Sequence, residues 1–302
     1  MLPYCLDPIR MRSLYVADPD LKDTAAAPFY YLHLRRTARV IVSAPWEGGQ
    51  ILPVRESGPP ILVFSPGRVG STLLSAILFE AGIANVSEPD FYTQATRAFA
   101  ASQLNPLRAS MRRAVLNLGR DLASAFAGEG PVVAKLRAEC CRAPWLILEE
   151  GRPKTIFMTR RFEPWARSTA RVFRAGPRRA VAKYLQSLQA LDWLQRHTQC
   201  HLLLYDSLLA DVGAACTELG RFLGRDIAPE AVKRALARDS QEGTPLELGA
   251  RPERADAQET LAETLKLWGS DRIVRVRASL PLFEGEAWDA RKARETNGVQ
   301  PE

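Results

Sequence analysis

Short apolar runs, punctuated by glycine and proline, recur between residues 61 and 206, and longer stretches with helical periodicity separate them. ILVF (61–64), PVVAKL (131–136), KTIFMT (154–159) and HLLLYD (201–206) each read as a strand buried on both faces. Beyond ILVF, Leu73, Leu74, Ile77 and Leu78 give residues 71–81 one apolar helical face, and Gly82 stands where a C-terminal cap belongs. Residues 177–197 extend the pattern, with Val181, Tyr184, Leu185, Leu188, Leu191 and Leu194 on one side. Continuous apolar strands alternating with helices predict an α/β fold whose central parallel sheet is covered by helices on both faces.

The chain before residue 60 follows a different pattern. FYYLHLRRTARVIVSA (29–44) reads as one or two short strands, or a strand and a turn, and PWEGGQ (45–50) as a loop. The Pro/Gly-rich ESGPP (56–60) marks a hinge. Residues 1–58 are therefore expected to form an N-terminal extension: an edge hairpin, an oligomer contact such as a homodimer would use, or a small added domain. Residues 59–285 are expected to form the main domain, and 286–302, ending RKARETNGVQPE, a disordered tail.

Composition narrows the function classes. At 46% hydrophobic and 25% charged residues, the chain has the make-up of a soluble globular protein. No apolar run approaches the roughly 20 residues of a membrane span. MLPYCLDPIRMRS lacks the charged-then-apolar order of a signal peptide, so a cytoplasmic enzyme is expected. Cys5, Cys140, Cys141, Cys200 and Cys216 contain no C-x-x-C pair and are read as free thiols. His33, His197 and His201 show no metal-ligand spacing, so no metal is expected. The formal charge of +7 is spread along the chain among acids, which points away from nucleic acid. RAGPRRAVAK (174–183) is a local basic cluster able to face a small anion.

The chemistry concentrates in FSPGRVGSTLL (64–74). A strand, a glycine bend and a helix place backbone N–H groups and a helix N-terminus around an anion. Pro66, Gly67, Arg68, Val69, Gly70, Ser71 and Thr72 supply that bend, with two hydroxyls beside the first free N–H groups. A nucleoside-triphosphate loop would carry G-x-x-x-x-G-K-[ST]; here the lysine is missing and the cation is Arg68, two places before Gly70. By itself the bend is equally a tight strand-helix turn with no ligand. A second element, KTIFMTRRFEPWARS (154–168), ends a strand at Thr159 and follows it with Arg160 and, eight residues on, Ser168.

Together the two elements resemble the sulfotransferase family, whose donor is 3′-phosphoadenosine 5′-phosphosulfate (PAPS). RVGST (68–72) is similar to that family's 5′-phosphosulfate loop, and Arg160 with Ser168 to its 3′-phosphate site. LLYDSLLADVGAACTELGRFLG (203–224) resembles the family's following strand, turn and helix, and DSQEGTPLE (239–247) its C-terminal donor loop. The resemblance spans roughly residues 60–285 and implies a three-layer P-loop-type domain, with PAPS as co-substrate. Val69 departs from the serine often found at its position. The resemblance also implies roles: Arg68 on the bridging and sulfuryl oxygens, Lys135 at the same centre, Glu88 in NVSEPD as the base, with Asp90 second.

Each residue keeps a plainer reading: Lys135 a surface lysine, Glu88 a capping or solvated carboxylate, Phe91, Tyr92 and Phe99 core aromatics rather than an acceptor platform. Arg171, Arg174, Arg178 and Arg179 fit a solvated helix face as well as an anion site. The expected acceptor is a hydroxyl of a carbohydrate, glycolipid or small metabolite. A P-loop small-molecule kinase and a non-catalytic PAP-binding module are the alternatives.

Overall fold

A computed structural model describes residues 1–53, 58–101, 108–126, 128, 130–173, 175–237 and 255–280. Arg174, the loop 239–247, the tail and part of the hinge at 56–60 lie outside the described residues. Among the described residues, two sheets form. The first is antiparallel, β1 (Leu2–Asp7), β2 (Arg12–Val16) and β3 (Ile41–Pro45) in that order. The second is wholly parallel, built from β4 (Ile61–Phe64), β5 (Asn85–Ser87), β6 (Val133–Lys135), β7 (Lys154–Thr159) and β8 (Gln199–Leu204). Its strand order is β5-β6-β4-β7-β8.

The central strand β4 pairs with β6 on one side and β7 on the other. The chain leaves β4 towards β5 and later crosses to β7 and β8, so the strand order reverses at β4. Ligands of open α/β sheets bind in the crevice outside the strand ends at such a reversal. The bend at residues 65–70 leaves the end of β4 at that point.

Alternation along the strands explains the three layers. Leu62, Phe64, Ala134 and Phe157 point into one core, with Val115, Leu118 and Leu122 of the helix Arg108–Phe126. Ile61, Val63, Val133, Ile156 and Met158 point into the other, with Leu74, Ile77 and Leu78 of the helix Ser71–Glu80. Burial on both faces is what the continuous apolar runs require. The helix Pro177–His197 straddles both cores: Val181, Tyr184 and Leu188 enter one, Leu191 and Leu194 the other.

Three expectations need correction. Residues 30–37, read as strand, form the helix Tyr30–Thr37, because Tyr30 and Leu34 lie one turn apart and are both buried. The fourth apolar strand runs 199–204, not 201–206; Tyr205 and Asp206 open the helix Tyr205–Ala210. The strand β5 was not foreseen.

The first fifty residues share the main core. Leu2, Leu6, Tyr15, Val16, Tyr30, Leu34 and Trp46 pack in the same cluster as Leu62 and Phe64. Fully buried Asp121 ties them down: it accepts from Tyr15 Oη at 2.7 Å and from the backbone N–H groups of Leu52 at 2.9 Å and Ile51 at 3.3 Å. Asp121→Ala would strand a buried phenol and two amides, so an expected loss of about 3 kcal/mol follows from unsatisfied donors. Urea denaturation checks it; an unchanged midpoint would contradict that anchoring role.

Candidate active site

A cleft of about 770 Å³ opens over the ends of β4, β5 and β6 and takes its far wall from residues after β7 and β8. Its lining includes Gly67, Arg68, Gly70, Ser71 and Thr72 of the bend, and Glu88, Lys135, Arg160 and Ser168. The bend around Gly70 and the Arg160 site thus face one space. Pro66 and Val69 of the bend do not line the cleft; Val69 is fully buried beneath the loop in the core.

The bend's shape is set by backbone and by one indole. Gly67 (φ 75°) and Gly70 (φ 79°) adopt positive φ, which glycine tolerates best. Arg68, between them, does so with a side chain (φ 58°), a conformation that persists only where surroundings enforce it. Trp165 Nε1 donates to the Gly67 carbonyl at 2.8 Å, and the Gly67 N–H donates to Ser65 Oγ at 3.3 Å. The helix Ser71–Glu80 then begins at Gly70 with no side-chain cap and no acid in its first turn. An uncapped, acid-free helix start suits an anion.

Opposite the bend, Ser168 Oγ accepts from Arg68 Nε at 3.3 Å. Burial, then the nearby Arg160 and Arg171 charges, push the Arg68 pKa down. Gathering guanidiniums in a half-buried wall raises the free energy of the empty site, and an anion relieves it. Arg160 is seated by Tyr184, whose hydroxyl donates to the Arg160 carbonyl at 2.6 Å, and its guanidinium lies 4.9 Å from the centre of the Tyr205 ring. Arg160 Nε is buried with no hydrogen-bond partner among the described residues. A buried donor without an acceptor is costly, so this atom marks a place for an acceptor.

The other half of the cleft is built around Glu88. Its backbone N–H donates to the Lys135 carbonyl at 2.7 Å, extending the β5–β6 pairing, and its φ is 63°. Lys135 Nζ lies 3.2 Å from Glu88 Oε1 and Arg137 Nε 3.1 Å from Oε2. Lys135 is only 4% exposed, so it is neither a surface lysine nor solvated, and Glu88 is occupied by the two cations. Arg137 also reaches Asp90 Oδ1 at 3.2 Å and lies 4.0 Å from the Tyr31 ring centre. Burial works against the Arg137 charge, but Glu88, Tyr31 and Asp90 outweigh it and hold its pKa above the usual value. Asp90 moves up through burial, against the pull of Arg137 and Arg97.

Several lining residues escaped the sequence reading, namely Phe29, Tyr31, Arg137 and Tyr205, and Lys183 was noted only as the end of the basic stretch 174–183. Phe29 lies 5.8 Å from Lys135 Nζ, so the N-terminal segment supplies an aromatic wall. The aromatics singled out from sequence lie elsewhere. Phe91 and Tyr92 are buried in the core, and Phe99 packs edge-on against Trp145 at 6.2 Å. Cys140 and Cys141 are buried thiols with pKa values raised by burial. None of the three histidines lines the cleft. Among the described residues, no three His, Cys, Asp or Glu side chains gather as a metal site would need.

No family model and no curated protein matches the chain. Solved structures do. The sulfotransferase domain from the curacin biosynthetic pathway is similar at 13% identity and TM-score 0.44, over 76% of this chain and 99% of that one. The sulfotransferase domain of the Synechococcus PCC 7002 olefin synthase matches at 15% identity and TM-score 0.36, over 84% and 99%. Retinol dehydratase, in complex with androsterone and the inactive cofactor PAP, matches at 12% identity and TM-score 0.40, over 94% and 100%.

Proposed function

We propose that this chain is a sulfotransferase that moves a sulfuryl group from PAPS to an acceptor hydroxyl. The observation that carries the reading is the shared cleft: a glycine bend at a helix start and a cluster of arginines face each other, bridged by the Arg68–Ser168 contact. A donor with a phosphosulfate at one end and a ribose phosphate at the other matches two anion sites side by side. The orphaned Arg160 Nε fits the second of them.

In this reading the backbone of Gly70, Ser71 and Thr72, the two hydroxyls and Arg68 hold the phosphosulfate; Arg160 and Ser168 hold the 3′-phosphate. Bound PAPS would supply a sulfuryl group whose sulfur bonds to the acceptor oxygen as its bond to the 5′-phosphate oxygen breaks, releasing PAP. Arg68 stabilises charge accumulating on the departing phosphate, which matters most in a loose transition state. Glu88 takes the acceptor proton. Both of its oxygens already accept from a cation, but each carries a second lone pair, and Lys135 and Arg137 fix its orientation. Asp90, bonded to Arg137 and one step removed, stands second.

Calorimetric titration with PAP, set beside ATP with magnesium, tests the donor. PAP is expected to bind and ATP not to; the opposite ranking would favour a kinase and end this reading. Arg160→Ala should weaken PAP by about 30-fold, the worth of one or two charge-assisted hydrogen bonds. Unaltered PAP affinity in that variant would remove Arg160 from the donor site.

A further inference from the structure

Cations outnumber acids along the cleft, and most are accounted for. Lys135 and Arg137 hold Glu88, while Arg68 and Arg160 belong to the arginine wall beside Ser168. Lys183 is different. It reaches the cleft from the helix Pro177–His197, and its Nζ stands 3.8 Å from where a side-chain carbon on Gly67 would be. The carboxylate beside it, Glu139, is bonded by Arg97 at 2.6 Å. Among the described residues no carboxylate lies within ion-pair distance of the Lys183 ammonium. Burial pushes its pKa down, Glu139 and Cys141 oppose this, and Arg179 and Arg142 add to it. An ammonium held in a cleft wall 5.7 Å from the centre of the Phe173 ring, with no carboxylate in ion-pair reach and Glu139 bonded by Arg97, is placed to receive an anion.

We propose that Lys183 receives an anionic group of the acceptor, so that the substrate is a hydroxyl compound also bearing a carboxylate, sulfate or phosphate. The inference rests on the sulfotransferase reading. Lys183 stands beside Gly67 and Ala138, where the bend begins, whereas the Tyr205 ring stands beside Gly70, at the helix start assigned to the phosphosulfate. Lys183 meets the cleft at the Ala138 end of the stretch Lys135–Glu139, and Glu88 is bonded at its Lys135–Arg137 end. Three residues of extended chain span on the order of 10 Å, which sets the scale of the separation between reacting hydroxyl and anionic group as that of a small compound built on a ring. Phe29 and Tyr31 line the cleft at the Glu88 end, Phe29 beside the Lys135 ammonium and Tyr31 beside the Arg137 guanidinium.

Two matched pairs of probes test the idea: 4-(hydroxymethyl)benzoate against benzyl alcohol, and galacturonate against galactose. Each is presented to the PAP-saturated protein for binding and to the PAPS-saturated protein for PAP release. The wild type is expected to prefer the charged member of at least one pair by about tenfold, the lower end for a charge-assisted hydrogen bond. Lys183→Met should abolish that preference, Lys183→Arg should keep it, and both should bind PAP within about twofold of wild type. Equal treatment of both members of both pairs by the wild type, including no response to any, overturns the proposal. So does a tenfold loss of PAP affinity in Lys183→Met, which would assign the ammonium to the donor. If the wild type binds no PAP, the sulfotransferase reading itself has failed, and this inference goes with it.

Discussion

Glu88→Gln is expected to leave PAP binding intact and lower turnover by 100-fold or more, within the range of about 10² to 10⁴ for loss of a positioned general base. The amide keeps the size and one acceptor oxygen of the carboxylate but cannot take a proton. It also removes the negative charge between Lys135 and Arg137, one of them 4% exposed. Leaving such charges unmatched destabilises by about 3–5 kcal/mol when one partner of a buried pair is removed. Turnover must therefore be counted per PAP-binding site, at a temperature well below unfolding. A variant that binds PAP at full stoichiometry and turns over normally would show that Glu88 is only the keystone of an ion cluster. Asp90 would then be the group to test.

Gly70→Ala should have the second large effect, and on donor affinity. A side-chain carbon at residue 70 would stand 2.2 Å from two atoms of the Tyr205 ring, far inside contact distance. The left-handed backbone adds roughly 1–2 kcal/mol for any residue with a side chain. The ring is also the neighbour of the Arg160 guanidinium, so pushing it aside disturbs both anion sites together. A loss of PAP affinity of about 100-fold is the expected outcome, equivalent to about 2.7 kcal/mol. Trimming the ring in the same chain, Gly70→Ala with Tyr205→Ala, should recover part of it. Wild-type affinity in Gly70→Ala would mean that the bend does not touch the donor.

How legible the molecule was depended on how local each signal is. The apolar runs at 61–64, 131–136 and 154–159 announced their strands because burial on both faces makes their interior positions apolar almost without interruption, with the polar residues near the ends. Asn85–Ser87 is three residues long at a sheet edge, with a polar residue at each end, and carries no such signature. Residues 30–37 contain two tyrosines and other strand-compatible residues, and only packing of Tyr30 and Leu34 against the core decides for helix. Leu203 and Leu204 continue the apolar run up to Tyr205, so nothing in hydrophobicity marks where β8 stops.

The site shows the same division. Arg68, Gly70, Arg160 and Ser168 could be singled out together because three of them follow strand ends of one sheet and the fourth stands on the helix after β7, and all four line the cleft. Arg137 was within reach of the same logic: it sits two residues after Lys135, and the pair clasps one carboxylate. Lys183 lay inside a basic stretch already noted, but only the fold separates it from its exposed neighbours Arg178 and Arg179. Phe29 and Tyr31 come from a segment with no motif, and only tertiary structure brings them beside residues a hundred positions away.

That last arrangement has a consequence for specificity. The aromatic wall comes from residues 29 and 31, while the guanidinium wall comes from residues 68 and 160. On the sulfotransferase reading, substitutions at Phe29 and Tyr31 are expected to change which alcohols are accepted while the bend and the Arg160 site keep their residues.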